Sequence, residues 1–199
     1  EKEFRRLLKD HVFGHAPLEL ALAIGLSAPL SSLLSRVVNS NVVLVHFFGN
    51  STTGKTTAAR LAVAPFGFPA TGQEGLIKTW NATPNALQGI LGNTHGLALV
   101  IDEISMAASL KKNLVYLLSS GVEKDRLTKE SIMHIPKTWS GTFISTGEHS
   151  WLGKSTKNVG AQVRLLELCG FAWTESAEHA DLLKAGLLEN YGYLGPQFA

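Results

Sequence analysis

The chain has 199 residues, of which 45% are hydrophobic, enough to bury a core and to exclude wholesale disorder. Its formal net charge of +2 is too small to argue for or against a nucleic-acid partner, so the distribution of charge has to decide. A single cysteine, Cys169, excludes an intrachain disulfide and suits a reducing cytoplasm; its setting, LLELCGF, reads as a buried packing site.

The chain opens on Glu1 in place of Met and reads as a piece of a longer protein. EKEFRRLLKD is charged and helical, unlike a signal peptide, and no apolar run reaches the length of a membrane span. Two helices are expected, Lys2–Val12 and Leu18–Val38, with Pro17 in a first turn and Pro29 kinking or dividing the second. Residues 1–40 are thus expected to form an N-terminal helical segment covering one face of a sheet. Residues 41–199 are expected to form one core domain.

Asn41–Phe48 (NVVLVHFF) reads as a buried parallel strand. The next residues, Gly49–Thr56 (GNSTTGKT), fit G-x-x-x-x-G-K-[ST], the phosphate-binding P-loop, and Thr57–Ala64 can start a helix at once. Strand, glycine loop and helix are the context the motif needs. Backbone N–H groups from Asn50 to Lys55 can wrap a β-phosphate, and the helix N-terminus adds positive potential. Gly49, Asn50, Ser51, Thr52, Thr53, Gly54, Lys55, Thr56 and Thr57 are therefore the candidate ATP-binding residues. Lys55 would reach the β/γ-phosphates and Thr56 would coordinate Mg²⁺.

Phe66–Gly75 is a Gly/Pro-rich loop, and Leu76–Trp80 a short strand. Thr83 is a good N-cap with Pro84 at the first helical position, which predicts a helix to about Leu91. Trp80, Asn81 and Thr83 read first as a packed tryptophan and a helix cap; the alternative is a communication element at a subunit boundary or at DNA. Leu97–Ile101 is an apolar strand closed by Asp102 and Glu103, the Walker B pattern. Asp102 would hold Mg²⁺ beside Thr56, and Glu103 would orient and deprotonate the attacking water. That favours hydrolysis over phosphoryl transfer.

Ala107–Ser120 reads as an amphipathic helix stopped by Gly121, and Val122–Trp139 as a polar, basic stretch whose SIMHI pattern suggests a hairpin. Thr142–Ser145 is a third core strand. At its end Ser145 or, preferably, Thr146 could position the attacking water, the role called sensor 1; Thr146 could instead cap a following helix. Gln162–Leu168 reads as a fourth strand, Glu175–Asn190 as a helix and Tyr191–Ala199 as a Gly/aromatic tail. Strands alternating with helices imply an α/β three-layer fold with a mainly parallel sheet. The histidines show no metal-ligand spacing, and His46 and His95 read as structural.

With these residues placed, GNSTTGKTT, TWNATPNAL, LVIDE, VYLLSSG, FISTGE and GAQVRLLEL resemble a bacterial ATPase family. It is the domain of unknown function of plasmid, prophage and staphylococcal cassette proteins, primase/helicase-like and related to AAA+ ring helicases. The likeness runs from Val42 to the end of the chain. It implies a P-loop NTPase core of the AAA+ type, ATP hydrolysis with Mg²⁺, and movement on single-stranded or forked DNA. It further implies assembly into a ring, expected to be a hexamer, in mobile-element replication, with no membrane. The alternative is a signalling or defence ATPase that switches without translocating. A second-sensor arginine on a C-terminal lid is missing, so any lid lies outside the chain or is reduced to the Glu175–Asn190 helix.

Within that resemblance, the Val122–Trp139 stretch sits where ring helicases raise a pore hairpin. Its Lys124, Arg126, Lys129, His134 and Lys137 are candidate DNA contacts, diluted by Glu123, Asp125 and Glu130. Gly160–Arg164 is expected to lead into the last core strand. This puts Arg164 at the sheet edge away from its own phosphates, a position for an arginine finger on a neighbour's ATP. A local salt bridge to Glu167 or Glu175 is the alternative role, and Arg126 the rival finger.

Overall fold

The computed structural model describes residues 1–38, 40–106, 111–124, 135–153 and 159–193. The apolar runs form parallel strands: β1 (Val42–Phe48), β2 (Ile77–Thr79), β3 (His95–Asp102), β4 (Ser140–Gly147) and β5 (Leu165–Leu168). Their order across the sheet is β2-β3-β4-β1-β5. β4, which ends beyond Thr146, therefore lies between the glycine-loop strand β1 and the acidic-pair strand β3, as expected. Because all pairs are parallel, the ends that carry chemistry gather on one edge of the sheet.

The helices are α1 (Lys2–His11), α2 (Ala16–Val38), α3 (Lys55–Val63), α4 (Pro84–Leu91), α5 (Lys111–Ser119), α6 (Val159–Gln162) and α7 (Ala177–Glu189). Alternation along β1 sends Val45 and Phe47 to one face and Val42 and Leu44 to the other. On the first face lie α1, α2, α3 and α7, with Phe4, Leu18, Leu61 and Trp173 buried. On the second lie α4 and α5, with Leu87, Leu91, Leu118 and Trp139. Phe47 stacks on Trp173 at 4.2 Å between centroids. Burying each such ring contributes about 1.5–3 kcal/mol. This is the α/β three-layer fold with N-terminal helices that the strand–helix alternation predicts.

Several local expectations are corrected. Pro29 does not divide α2. The helix is pinned on both sides of the proline, by Ser27 to Thr142 at 2.8 Å and by Ser32 to Ser140 at 2.7 Å. Gly25 lets α2 touch α3 backbone to backbone: a Cβ there would lie 1.9 Å from the Ala62 carbonyl oxygen. At 23 residues α2 is also long and apolar enough to cross a membrane, contrary to the reading that no run reaches that length. It packs instead on α3, β3 and β4.

Gln162–Arg164 is not strand. Val159–Gln162 forms α6, and β5 begins at Leu165, so Gly160 is helical and not a tight approach to the strand. Cys169 is exposed, one residue past the end of β5. The expected helix over Ala107–Ser120 is described from Lys111, after a 3₁₀ turn at Ile104–Met106. Of the Val122–Trp139 hairpin, Val122 and Thr138 form an antiparallel bridge; its tip, residues 125–134, lies outside the described residues. The described part of the tail packs back, with Gly192 N–H on the Ala64 carbonyl and Tyr191 against Phe68.

Candidate functional site

β1 ends in Phe48 and the chain turns through Gly49–Gly54 into α3. The turn needs left-handed backbone at Thr52 (φ 66°) and Gly54 (φ 83°). At Gly54 a side chain is excluded twice, by φ and by Thr174, whose Oγ1 would lie 2.5 Å from a Cβ. The Trp173 N–H donates to the Thr53 carbonyl at 2.8 Å, so the segment before α7 braces the loop from outside. The first turn of α3 starts at Lys55, which leaves its N–H groups directed at the loop. Lys55 Nζ donates to the Gly49 and Asn50 carbonyls at 2.9 and 2.6 Å. Thr53 Oγ1 also donates to the Asn50 carbonyl.

The acidic pair meets this loop through β4. Thr56 Oγ1 donates to Asp102 Oδ1 at 3.3 Å. Thr146, buried at 2% exposure, donates its hydroxyl to Asp102 and accepts the Glu103 N–H at 3.0 Å. Glu103 sits at φ 63°, the left-handed region, which costs a β-carbon residue about 1–2 kcal/mol. Strain of that kind persists where the surroundings impose it, and it clusters at functional sites. The Glu103 carboxylate accepts the Ser105 hydroxyl at 2.6 Å.

The result is a cleft of about 320 Å³. From the glycine loop and α3 come Ser51, Thr52, Gly54, Lys55, Thr56 and Thr57; Glu103 and Thr146 close the opposite wall. Gly49, Asn50 and Thr53 shape the loop through their backbones. The Thr56 hydroxyl and Asp102 carboxylate, adjacent and both hard oxygen donors, suit a small divalent cation such as Mg²⁺. The helix N-terminus beside them suits an anion.

Other sequence candidates lie elsewhere. Ser145 is buried on the other face of β4 and accepts the Trp80 indole N–H at 3.1 Å, so only Thr146 reaches the cleft. No helix follows Thr146 directly, and its hydroxyl is committed to the acidic pair, which removes the capping role. Trp80 packs edge-on against Trp151, and Thr83 caps α4 through the Ala86 N–H, the packing roles expected of both. His46 bonds the His149 carbonyl, and His95 contacts Ser140 and Thr138.

Arg164 stands at the start of β5, on the sheet edge opposite the cleft. It donates to the Gly160 carbonyl at 2.8 Å and lies over the Tyr116 ring. The Glu167 carboxylate is held instead by Ser150 and the Trp151 N–H, so the bridge to Glu167 is not made. Lys124 and Lys137 are exposed on the same side as Arg164, near α4; Arg126, Lys129 and His134 lie outside the described residues.

Sequence reasoning passed over four side chains at the cleft. Glu148 accepts the Ser51 hydroxyl, and Ser105 binds Glu103. From α7, Asp181 and Lys184 line the cleft and pair at 3.2 Å. The signal for Glu148 and Ser105 was their place two residues beyond Thr146 and Glu103. For the α7 pair no local signal existed.

A family model described as "Domain of unknown function (DUF927)" matches residues 1–136. No curated protein matches the chain. Among solved structures, one described as "SCCmec type IV Cch - active helicase" superposes with a TM-score of 0.86 at 36% identity. The match covers 98% of this chain and 36% of that one, so the chain spans about a third of that protein's length.

Proposed function

The chain belongs to the family of the DUF927 domain of unknown function, and on that premise we propose that it is the Mg²⁺-dependent ATPase core of a DNA helicase motor. One observation carries this reading. Lys55, Thr56, Asp102, Glu103 and Thr146, from two strand ends and a helix start, meet around one cleft, with Thr56 and Asp102 in contact at 3.3 Å. The helicase described above, similar over nearly all of this chain, supports it.

In this mechanism the P-loop N–H groups and the α3 N-terminus bind the phosphates, and Lys55 leaves the Gly49 and Asn50 carbonyls to engage them. Thr56 and Asp102 hold Mg²⁺, which when bound neutralises charge on the β- and γ-phosphates. Glu103 accepts the proton of the attacking water. Its carboxylate must exchange the Ser105 hydroxyl for that water. Thr146 fixes the Glu103 backbone and the Asp102 carboxylate, and so sets the distance between base and cation site.

The motor works on single-stranded or forked DNA, in the cytoplasm, as a ring taken to be a hexamer. Lys124 and Lys137, with Arg126 and Lys129 between them in sequence, contact its phosphates. Arg164 acts on the neighbour's nucleotide. Its position on the edge opposite its own cleft supports a role between subunits.

The test is ATP turnover with and without single-stranded DNA. Glu103→Gln should keep Mg²⁺–ATP binding and lose about 10²–10⁴-fold in rate, the usual worth of a positioned base. Full turnover in that variant overturns the assignment. Hydrolysis that DNA does not stimulate points to a switch ATPase in place of a motor.

A further inference from the structure

Among the described residues, Glu148 is the one acid at the cleft that the mechanism above does not use and that faces a neutral partner. Asp102 and Glu103 have roles in it, and Asp181 pairs with Lys184. Glu148 lies just past the end of β4, lines the same cleft as Lys55 and Thr56, and accepts the Ser51 hydroxyl. Next to this contact the Gly49 N–H donates to the Gly147 carbonyl at 3.3 Å. The P-loop is thus tied twice to the tip of β4, once by backbone and once by a carboxylate.

That carboxylate sits where an anion is favoured, at a loop of N–H groups ahead of a helix N-terminus. It also sits where an incoming polyphosphate is repelled by it. The charges around the cleft sharpen the point. Among the described residues, Lys55 and Lys184 are its cations, and Asp102, Glu103, Glu148 and Asp181 its acids. A bare triphosphate meets an excess of negative charge there, whereas a triphosphate carrying a divalent cation does not.

Resting on the nucleotide-binding reading above, we propose that Glu148 is the chain's own anion at the P-loop. It is a positioning residue that latches Ser51 and screens out metal-free nucleotide in favour of the Mg²⁺ complex. Binding of the complex releases Ser51 from Glu148 and frees the loop to close on the phosphates. The latch would give the ATPase a way to ignore nucleotide that lacks the ion its chemistry requires.

The experiment measures ATP affinity by calorimetry, with Mg²⁺ and with a chelator, on the parent chain, Glu148→Gln, Glu148→Ala and Lys55→Ala. Both Glu148 variants should bind metal-free ATP about tenfold more tightly, because a like charge close to the phosphates is gone. Their affinity for Mg²⁺–ATP should change by less than about threefold, since the ion already neutralises much of that repulsion. The ratio of the two affinities is the readout, and a merely structural role for Glu148 would not move it. Glu148 is exposed, so both variants should fold, and thermal melting checks this. Metal-free affinity unchanged in both variants overturns the latch. So does a selective loss of Mg²⁺–ATP binding, which would make Glu148 part of the metal site. Lys55→Ala separates the two readings. If it binds Mg²⁺–ATP as the parent does, the P-loop assignment itself fails. If it loses binding while the Glu148 variants match the parent, only the latch fails.

Discussion

Thr146→Val tests the hinge of the site with one atom's change. Valine keeps the shape of the side chain and removes the hydroxyl that joins Asp102 to the Glu103 backbone. The position is 2% exposed, so water does not replace the lost partner. A hydrogen bond to a charged group contributes about 1.5–3 kcal/mol, and stranding a buried N–H costs about 1–3 kcal/mol. Asp102 keeps its contact with Thr56 at 3.3 Å and is only half-buried, which puts its share at the low end. The Glu103 N–H belongs to a residue held at φ 63°, so losing its acceptor also weakens the restraint on a strained backbone. Together these give about 2–3 kcal/mol. For a domain of this size that is a drop in melting temperature of about 4–12 °C. Thermal unfolding followed by far-UV circular dichroism reads it, with Thr146→Ser as the control that restores the hydroxyl. Turnover should fall in the valine variant and return in the serine variant. A valine variant that melts within about 1 °C of the parent would refute the reasoning, because it would mean that the hydroxyl bridge bears no load.

Glu103→Gly should separate stability from chemistry: glycine adopts positive φ freely, so the fold gains about 1 kcal/mol while ATP hydrolysis is lost. An unchanged or lower melting temperature would show that φ at this position is not strained. Gly54→Ala should lose nucleotide binding and about 1–3 kcal/mol of stability, read by calorimetry and melting, because its Cβ meets Thr174 at a left-handed φ. Arg164→Ala and Lys55→Ala subunits should each be inactive alone and recover part of the turnover when mixed. Near-normal hydrolysis by Arg164→Ala alone would leave that arginine only its contacts with Gly160 and Tyr116.

Local chemistry determined a good deal of this protein by itself. The apolar runs at Val42–Phe48 and His95–Asp102 are strands because buried parallel strands need both faces apolar. Gly49–Thr56 is a loop into a helix because its glycine at φ 83° permits the turn. Thr83 and Pro84 start α4 because a hydroxyl cap and a fixed φ suffice there. The meeting of Lys55, Thr56, Asp102, Glu103 and Thr146 around one cleft was legible because each belongs to a short motif that ends or follows a strand.

Where two local readings compete, tertiary contacts chose. Gln162–Arg164 sits in a pattern too short to tell strand from helix, and the chain ends α6 at Gln162 and turns through Arg164 before β5. Pro29 remains within one helix because serines on either side of it bond to β4. Ser145 and Thr146 look alike in sequence, but alternation along β4 sends one to Trp80 and the other to Asp102. Ser51 and Glu148 are 97 residues apart, and Asp181 and Lys184 come from a helix after the last strand. They face one cleft only because strand order places β4 beside β1 and because the segment before α7 is bonded to the glycine loop at Trp173. Contacts of that range depend on how whole elements pack, and no window of neighbouring residues contains them.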